Sequence, residues 1–153
     1  MIGKLTSGQI EEILSENIVG RIACSDGKRS YVVPVNYVYD GKFIIAHSTP
    51  GMKIEMMRKN PQVCFEVDET KSFTNWKSVI VWGEYQELTN ERDRYNAMKL
   101  FVDKMMHIKI SETARLYETF KPGNIKQQRM KGTIKPVIYR IVITEKTGRF
   151  ESR

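Results

Sequence analysis

Between His47 and Lys53 the chain reads HSTPGMK, and here its residue types come closest to a recognisable chemistry. His47, Ser48 and Thr49 supply polar hydrogens, and Gly51 lets a backbone approach closely. Lys53 falls in the first turn of a helix expected just downstream, where unsatisfied N–H groups and the helix dipole favour a negative ligand. A cation is intrinsically disfavoured in a first turn, so Lys53 suits the role of counter-charge better than that of helix stabiliser. The pattern is that of an anion site at a strand-to-helix junction. It also fits a capped surface helix with incidental hydroxyls and a solvated lysine, and spacing alone leaves both readings open.

Other machineries are missing. The sequence has no G-x-G-x-x-G after a strand, no G-x-x-x-x-G-K-[ST], no H-E-x-x-H and no G-x-S-x-G. With two histidines, His47 and His107, a histidine-built metal centre is not expected, and no metal ligands are assigned. No pair of carboxylates stands as an evident acid/base couple, which argues against a conventional hydrolase. Cys24 and Cys64 lie in apolar surroundings and are expected to be buried, reduced thiols, which suits a cytoplasmic protein. Neither a secretory signal nor an apolar run of membrane-spanning length is apparent.

The net charge of +7 is unevenly placed. Residues 1–120 carry 16 basic and 16 acidic side chains, whereas residues 121–153 carry 9 basic and 2 acidic. The excess gathers around Lys121, Lys126, Arg129, Lys131 and Lys135. No aromatics interleave with it and no recognition helix is apparent, so a solvated loop is expected there and nucleic acid is not.

The elements that must position the HSTPGMK stretch follow from pattern. Thr6 and Gln9 have capping-box spacing, with Leu5 and Ile10 placed as a hydrophobic staple. Ile10, Ile13 and Leu14 give the first helix its apolar face, and Asn17 ends it. Ile18–Cys24, Ser30–Tyr39 and Phe43–Ala46 are predicted strands, separated by the turn dipeptides Asp26-Gly27 and Asp40-Gly41. Pro34 cannot donate to a ladder and demands an edge, a bulge or a nearby ligand. A short helix should start with Thr49 as N-cap and Pro50 as first residue, and end at Asn60-Pro61. Val63–Val67 and Val79–Leu88 are further strands, joined by a polar connection over Asp68–Asn75. Asn90 should open a helix with the stripe Tyr95, Met98, Val102 and Met105, and a second helix is expected from Ser111 to about Phe120. A last strand, Val137–Ile143, should end at Thr147-Gly148-Arg149. Five or six strands joined mostly by short turns predict one domain over 1–153, a mainly β, α+β antiparallel barrel with accessory helices.

The run VPVNYVYDGKFIIAHSTPGMKIEMMRKNPQVCFEVDE, followed by WKSVIVWGEYQEL, resembles the core signature of the pyridoxamine 5′-phosphate oxidase-like flavin-binding proteins. Within that superfamily it is most similar to the branch that includes nitroimidazole resistance proteins. The likeness covers residues 5–90 and, more loosely, Tyr139-Arg140-Ile141 to Thr147-Gly148-Arg149.

The resemblance implies a split β-barrel that forms a homodimer and holds FMN in a groove between subunits. It places the strand Val33, Pro34, Val35 and Asn36 along the flavin ring. His47, Ser48 and Thr49 would contact ribityl or phosphate oxygens, and Lys53 would pair with the phosphate. Trp76, Ser78 and Val79 match a strand that approaches the cofactor of the facing subunit. His47 also matches a histidine beside the substrate, where it would serve as a catalytic general acid. For each there is a plainer role as well: Asn36 satisfying backbone, Trp76 in the barrel core, Arg140 exposed on a strand, His47 structural. The basic and aromatic cluster that grips substrate in the oxidase naming the superfamily is not evident near the C-terminus, where Arg149 is the sole nearby candidate. The resemblance therefore implies passage of electrons from NAD(P)H through FMN to a small organic acceptor, with nitroaromatic reduction as the concrete case. A flavin-binding or sensing module without turnover, and a split barrel holding haem or a deazaflavin, are the rival readings.

Overall fold

The computed structural model describes residues 1–107 and 135–153. In chain order the elements are β1 (Ile2–Lys4), α1 (Ser7–Glu16), β2 (Val19–Ser25), β3 (Ser30–Tyr39), β4 (Phe43–Ser48), α2 (Met52–Lys59), β5 (Gln62–Ser72), β6 (Asn75–Glu87), α3 (Glu91–Met106) and β7 (Val137–Glu151). Each strand is antiparallel to its neighbours. The order β7-β4-β3-β2-β5-β6 closes on itself through β6–β7 pairing, and β1 adds to the far end of β7. This is the expected antiparallel split barrel with helices set around it.

Local chemistry explains most boundaries. The Thr6 hydroxyl accepts from the Gln9 N–H, while the Gln9 side chain accepts from the Thr6 N–H, so the capping box is complete. Asn17 closes α1. In the β3–β4 hairpin the Asp40 carboxylate accepts from the N–H groups of Lys42 and Phe43, and Gly41 takes the positive φ of 90° that this turn requires. Gly83 marks a bulge where β6 meets β7, and a Cβ there would stand 2.5 Å from the Val142 carbonyl oxygen.

Alternation along the strands sorts side chains into two cores. Tyr37, Ile44, Ala46, Phe65, Val67, Val79, Val81, Tyr139 and Ile141 point into the barrel, where α1 adds Ile10, Ile13 and Leu14 and α2 adds Ile54, Met56 and Met57. Val38, Ile45 and Ile138 point outward and are covered by Ala97 and Phe101 of α3.

Several boundaries differ from expectation. Asp68–Asn75 is no loose connection. Strand β5 continues to Ser72 and β6 starts at Asn75, because their backbone pairing runs on from Asp68↔Ser78 to Ser72↔Asn75, and polar side chains along β5 find partners there: Arg21 of β2 reaches Asp68 at 2.6 Å, and Thr70 donates to Asp68 at 2.7 Å. Strand β7 runs through Thr147-Gly148-Arg149 to Glu151, since β6 and β1 both pair with it there. Helix α2 starts two residues late, with Gly51 and not Thr49 as N-cap and no side-chain cap among the described residues. The buried face of α3 is Arg94, Ala97, Phe101 and Met105, so Tyr95 lies outside it and is 62% exposed. Arg94 is buried because its guanidinium donates to the carbonyls of Leu88 and Pro136. Cys24 is buried and Cys64 half-buried, both as free thiols. The helix expected from Ser111 and the basic loop, Lys135 apart, lie outside the described residues. Among the described residues no helix is long and apolar enough to cross a membrane.

Candidate functional site

Strand β3 changes partner along its length. It meets β4 at Tyr37↔Ala46, Val38↔Ile45 and Tyr39↔Ile44, whereas among the described residues Ser30 to Asn36 pair with β2 alone. The barrel is split there. Asn36 and His47, the next residue on each strand, flank the point where the two diverge.

The open edge has a definite polarity. The Tyr37 N–H donates to the Ile18 carbonyl at 3.0 Å, so Tyr37, Val35 and Val33 direct their backbone groups towards β2. By the same alternation Asn36, Pro34 and Val32 direct theirs into the opening. Pro34 therefore sits where a missing N–H costs no ladder bond, at an edge, with only a carbonyl to offer. Val35 is buried and Val33 packs against the core, while Pro34 and Asn36 are exposed on the outer face.

The other lip is the end of β4 and the start of α2. His47 is half-buried, with its ring 5.0 Å from that of Phe101 at 78°, an edge-on contact. Burial, reinforced by the nearby Lys53 charge, holds its pKa below the usual histidine range. At neutral pH it stands as a neutral imidazole, and its acid form belongs to lower pH. The Ser48 hydroxyl donates to the Thr49 carbonyl at 2.7 Å, and Thr49 is exposed. Gly51 faces open space, with no described atom within 4 Å of where a Cβ would stand.

Lys53 is half-buried, and no carboxylate among the described residues pairs with it. Burial pushes its pKa down, partly opposed by the Cys24 thiol. A desolvated cation without a counter-charge is unfavourable unless an anion completes the site. It stands beside first-turn N–H groups that no side chain caps.

The family model for pyridoxamine 5′-phosphate oxidase matches residues 6–150. The chain belongs to the pyridoxamine 5′-phosphate oxidase family. An uncharacterized protein of Rhizobium meliloti is 29% identical over 147 residues, covering 92% of this chain and 89% of its own. A FAD-binding protein from Mesorhizobium loti superposes with a TM-score of 0.74 at 31% identity, covering 99% of each chain. A candidate 5-nitroimidazole antibiotic resistance protein from Bacteroides thetaiotaomicron shares the fold, with a TM-score of 0.71 at 17% identity, covering 98% of this chain and 87% of its own.

In this family member the predicted site residues fall into two groups. Val33 to Asn36, with His47, Ser48, Thr49 and Lys53, line the two lips of one opening. Trp76, Ser78 and Val79 do not join them. They lie on β6 opposite Glu151, Arg149 and Gly148, at the far end of β7 from Val137, which pairs with Ser48. The Trp76 indole donates to Glu151 at 3.3 Å and Ser78 donates to Glu66 at 3.0 Å. Val79 is fully buried in the barrel core, with β5 and β7 on either side, and offers no side chain to a ligand. Arg140 donates to Gln86 at 2.5 Å and lies over the Phe43 ring, as an outward strand residue. Sequence reasoning passed over Lys104, whose ammonium donates to the Asn17 carbonyl at 2.6 Å beside Tyr37. The available signal was its i+3 spacing from Phe101, which places it on the covered side of α3.

Proposed function

We propose that this family member is a flavoprotein that holds FMN in the opening between β3 and β4. Working as a homodimer in the reducing cytoplasm, it passes electrons from NAD(P)H to a small organic acceptor such as a nitroimidazole. The observation that carries the reading is Lys53, a half-buried cation with no carboxylate partner among the described residues, beside the uncapped start of α2. That is a seat for a phosphate. The open edge of β3 offers the Asn36 N–H and the Pro34 carbonyl, a donor and an acceptor of the kind that the pyrimidine edge of a flavin needs. When bound, the flavin supplies the redox chemistry, and the protein supplies position, exclusion of water and a charge environment.

Dimerisation is supported by the placement of the two groups of site residues on different strands of the barrel. Trp76 and Ser78 lie on β6, with β5 and β2 between them and β3, and a twofold mate could present them directly to the opening. Val32 at 62% and Val19 at 43% exposure leave apolar surface beside that opening.

The deciding experiment is the visible spectrum of the purified protein, followed by denaturation and chromatography of what is released. Bound FMN supports the reading. Bound FAD, as for the FAD-binding protein from Mesorhizobium loti, would keep the flavoprotein and correct the nucleotide. Colourless protein that takes up neither flavin would overturn it. Anaerobic mixing of the flavin-loaded protein with NADH or NADPH and a nitroimidazole then tests turnover. A flavin that neither donor reduces would leave a binding module without turnover.

A further inference from the structure

The outer face of the sheet is patterned from strand to strand as well as along each strand. Register sets the outward side chains of β3, β2, β5 and β6 in rows. Val32 pairs with Ala23, Ala23 with Cys64 and Cys64 with Trp82, which makes one row apolar throughout. The next row is Pro34, Arg21, Glu66 and Ile80. Beyond it Asn36 pairs with Val19, and Asp68 with Ser78. Each of these residues is exposed or half-buried, and none of the apolar ones belongs to either core. A contiguous apolar row that leaves Trp82 39% exposed marks a docking face.

The sequence of residue types along the rows selects the occupant. A twofold axis parallel to the strands, midway between β2 and β5, exchanges β2 with β5 and β3 with β6 and keeps every residue at its own level. Val32 then faces the partner's Trp82, Ala23 the partner's Cys64, and Pro34 the partner's Ile80. Arg21 faces the partner's Glu66, and Asn36 the partner's Ser78. Apolar meets apolar and cation meets anion, so the face complements a copy of itself. Asp68 brings no unpaired charge, since its carboxylate is already held by Arg21 of its own chain at 2.6 Å. An axis across the strands at the level of Arg21 sets Arg21 against the partner's Arg21 and Glu66 against the partner's Glu66, which is repulsive.

We propose that the outer face of β3, β2, β5 and β6 packs on its own copy about an axis parallel to the strands, so that the partner's Ile80 and Ser78 cover the outer side of the open edge at Pro34 and Asn36. This rests on the dimeric flavoprotein reading above and adds to it the surface, the axis and the residues that meet. Two sheets packed face to face stand about 10 Å apart with their strands nearly aligned, which this axis preserves. Pro34 and Asn36 direct their backbone groups into the opening, so the partner's β6 becomes a wall beside whatever the opening holds. The monomer alone leaves that wall missing.

The test is a charge swap between two copies of the full chain, read by analytical ultracentrifugation with FMN present. R21E sets Glu against the partner's Glu66, and E66R sets Arg against the partner's Arg21, each twice by symmetry. Each variant alone should self-associate at least about tenfold more weakly than wild type. An equimolar mixture of the two restores opposite charges at both contacts and should associate within about threefold of wild type. A defect confined to one chain is not rescued by mixing, so weakening without rescue overturns the proposal. V32E, at an exposed position facing the partner's Trp82, serves if a charge variant does not fold, and unchanged association in V32E overturns the proposal alone. The monomeric variants should bind FMN about tenfold more weakly than wild type, and equal affinity would remove the partner from the opening. Wild type that stays monomeric with FMN bound overturns the dimer reading and this proposal with it. Wild type that binds no flavin overturns the flavin reading first.

Discussion

The β5–β6–β7 side of the barrel and the β3–β4–α2 side are built from the same kind of hydrophobic strand, yet they use their backbones differently. On the first side β6 is flanked by β5 and β7 over nearly its whole length. On the second, among the described residues, seven residues of β3 keep one edge open and α2 begins without a side-chain cap. The closed side commits its backbone polar groups to folding, while the open side holds them in reserve. Backbone donors and acceptors left facing an opening are a cost to the fold alone and a resource once a ligand supplies their partners.

Substitutions can break that contrast, and the largest effect belongs inside the barrel. Phe65 is 1% exposed, lies edge-on to Tyr37 at 4.9 Å, and fills the space over Gly20. Phe65→Ala should cost about 3–5 kcal/mol in urea denaturation. The fraction that remains folded should bind flavin with ordinary affinity. A selective loss of flavin binding without a loss of stability would show that the two sides are not separable.

Lys53→Ala should act in the opposite way. It should weaken FMN by about tenfold to a hundredfold, from a charge-assisted contact worth roughly 1.5–3 kcal/mol, and barely affect riboflavin. Its stability without flavin should equal or exceed that of wild type, because a desolvated cation is removed. Isothermal titration with the two flavins and a thermal melt check both halves. Equal weakening of both flavins would assign Lys53 to the fold.

A smaller effect tests α1, which packs into the closed core. Thr6→Ala removes the hydroxyl half of the capping box and should cost about 1 kcal/mol, with no change in flavin affinity. Urea midpoints at constant m report it.

The smallest signal is the pH dependence from His47. Its folded pKa lies below its unfolded value, so below about pH 6.5 the unfolded chain takes up a proton that the native state refuses. The stability this group contributes is present above pH 6.5 and lost as pH falls. His47→Gln should flatten the dependence between pH 5 and 6.5 relative to wild type. Parallel curves for the two proteins would place His47 in a solvated setting. In turnover assays a proton supplied by His47 predicts a rate that declines as pH rises through that lowered pKa, and a rate independent of pH would assign the proton to another donor.

What the sequence alone determined about this protein is its local chemistry. Thr6 with Gln9, Asp40 with Gly41 and Asn90 before α3 are short-range devices, and each acts where the sequence puts it, because the partners of such a bond lie within three residues. The run from Val33 to Pro61 carried the family, and with it the barrel. Tertiary structure alone decided the rest. Thr49 looks like a helix cap, but the chain bends at Pro50 and Gly51 after β4, and α2 begins only behind Gly51. Tyr95 seems to belong to a stripe, but the neighbouring row suits Phe101 against Val38, Ile45 and Ile138, and that packing fixes the rotation of α3. Pro34 announces an edge, but which edge is open depends on where β4 stops pairing, and that is set by contacts far apart in sequence. Lys104 meets Asn17 across 87 residues. No period or motif records such a meeting, because it exists only once α3 has packed across the end of α1.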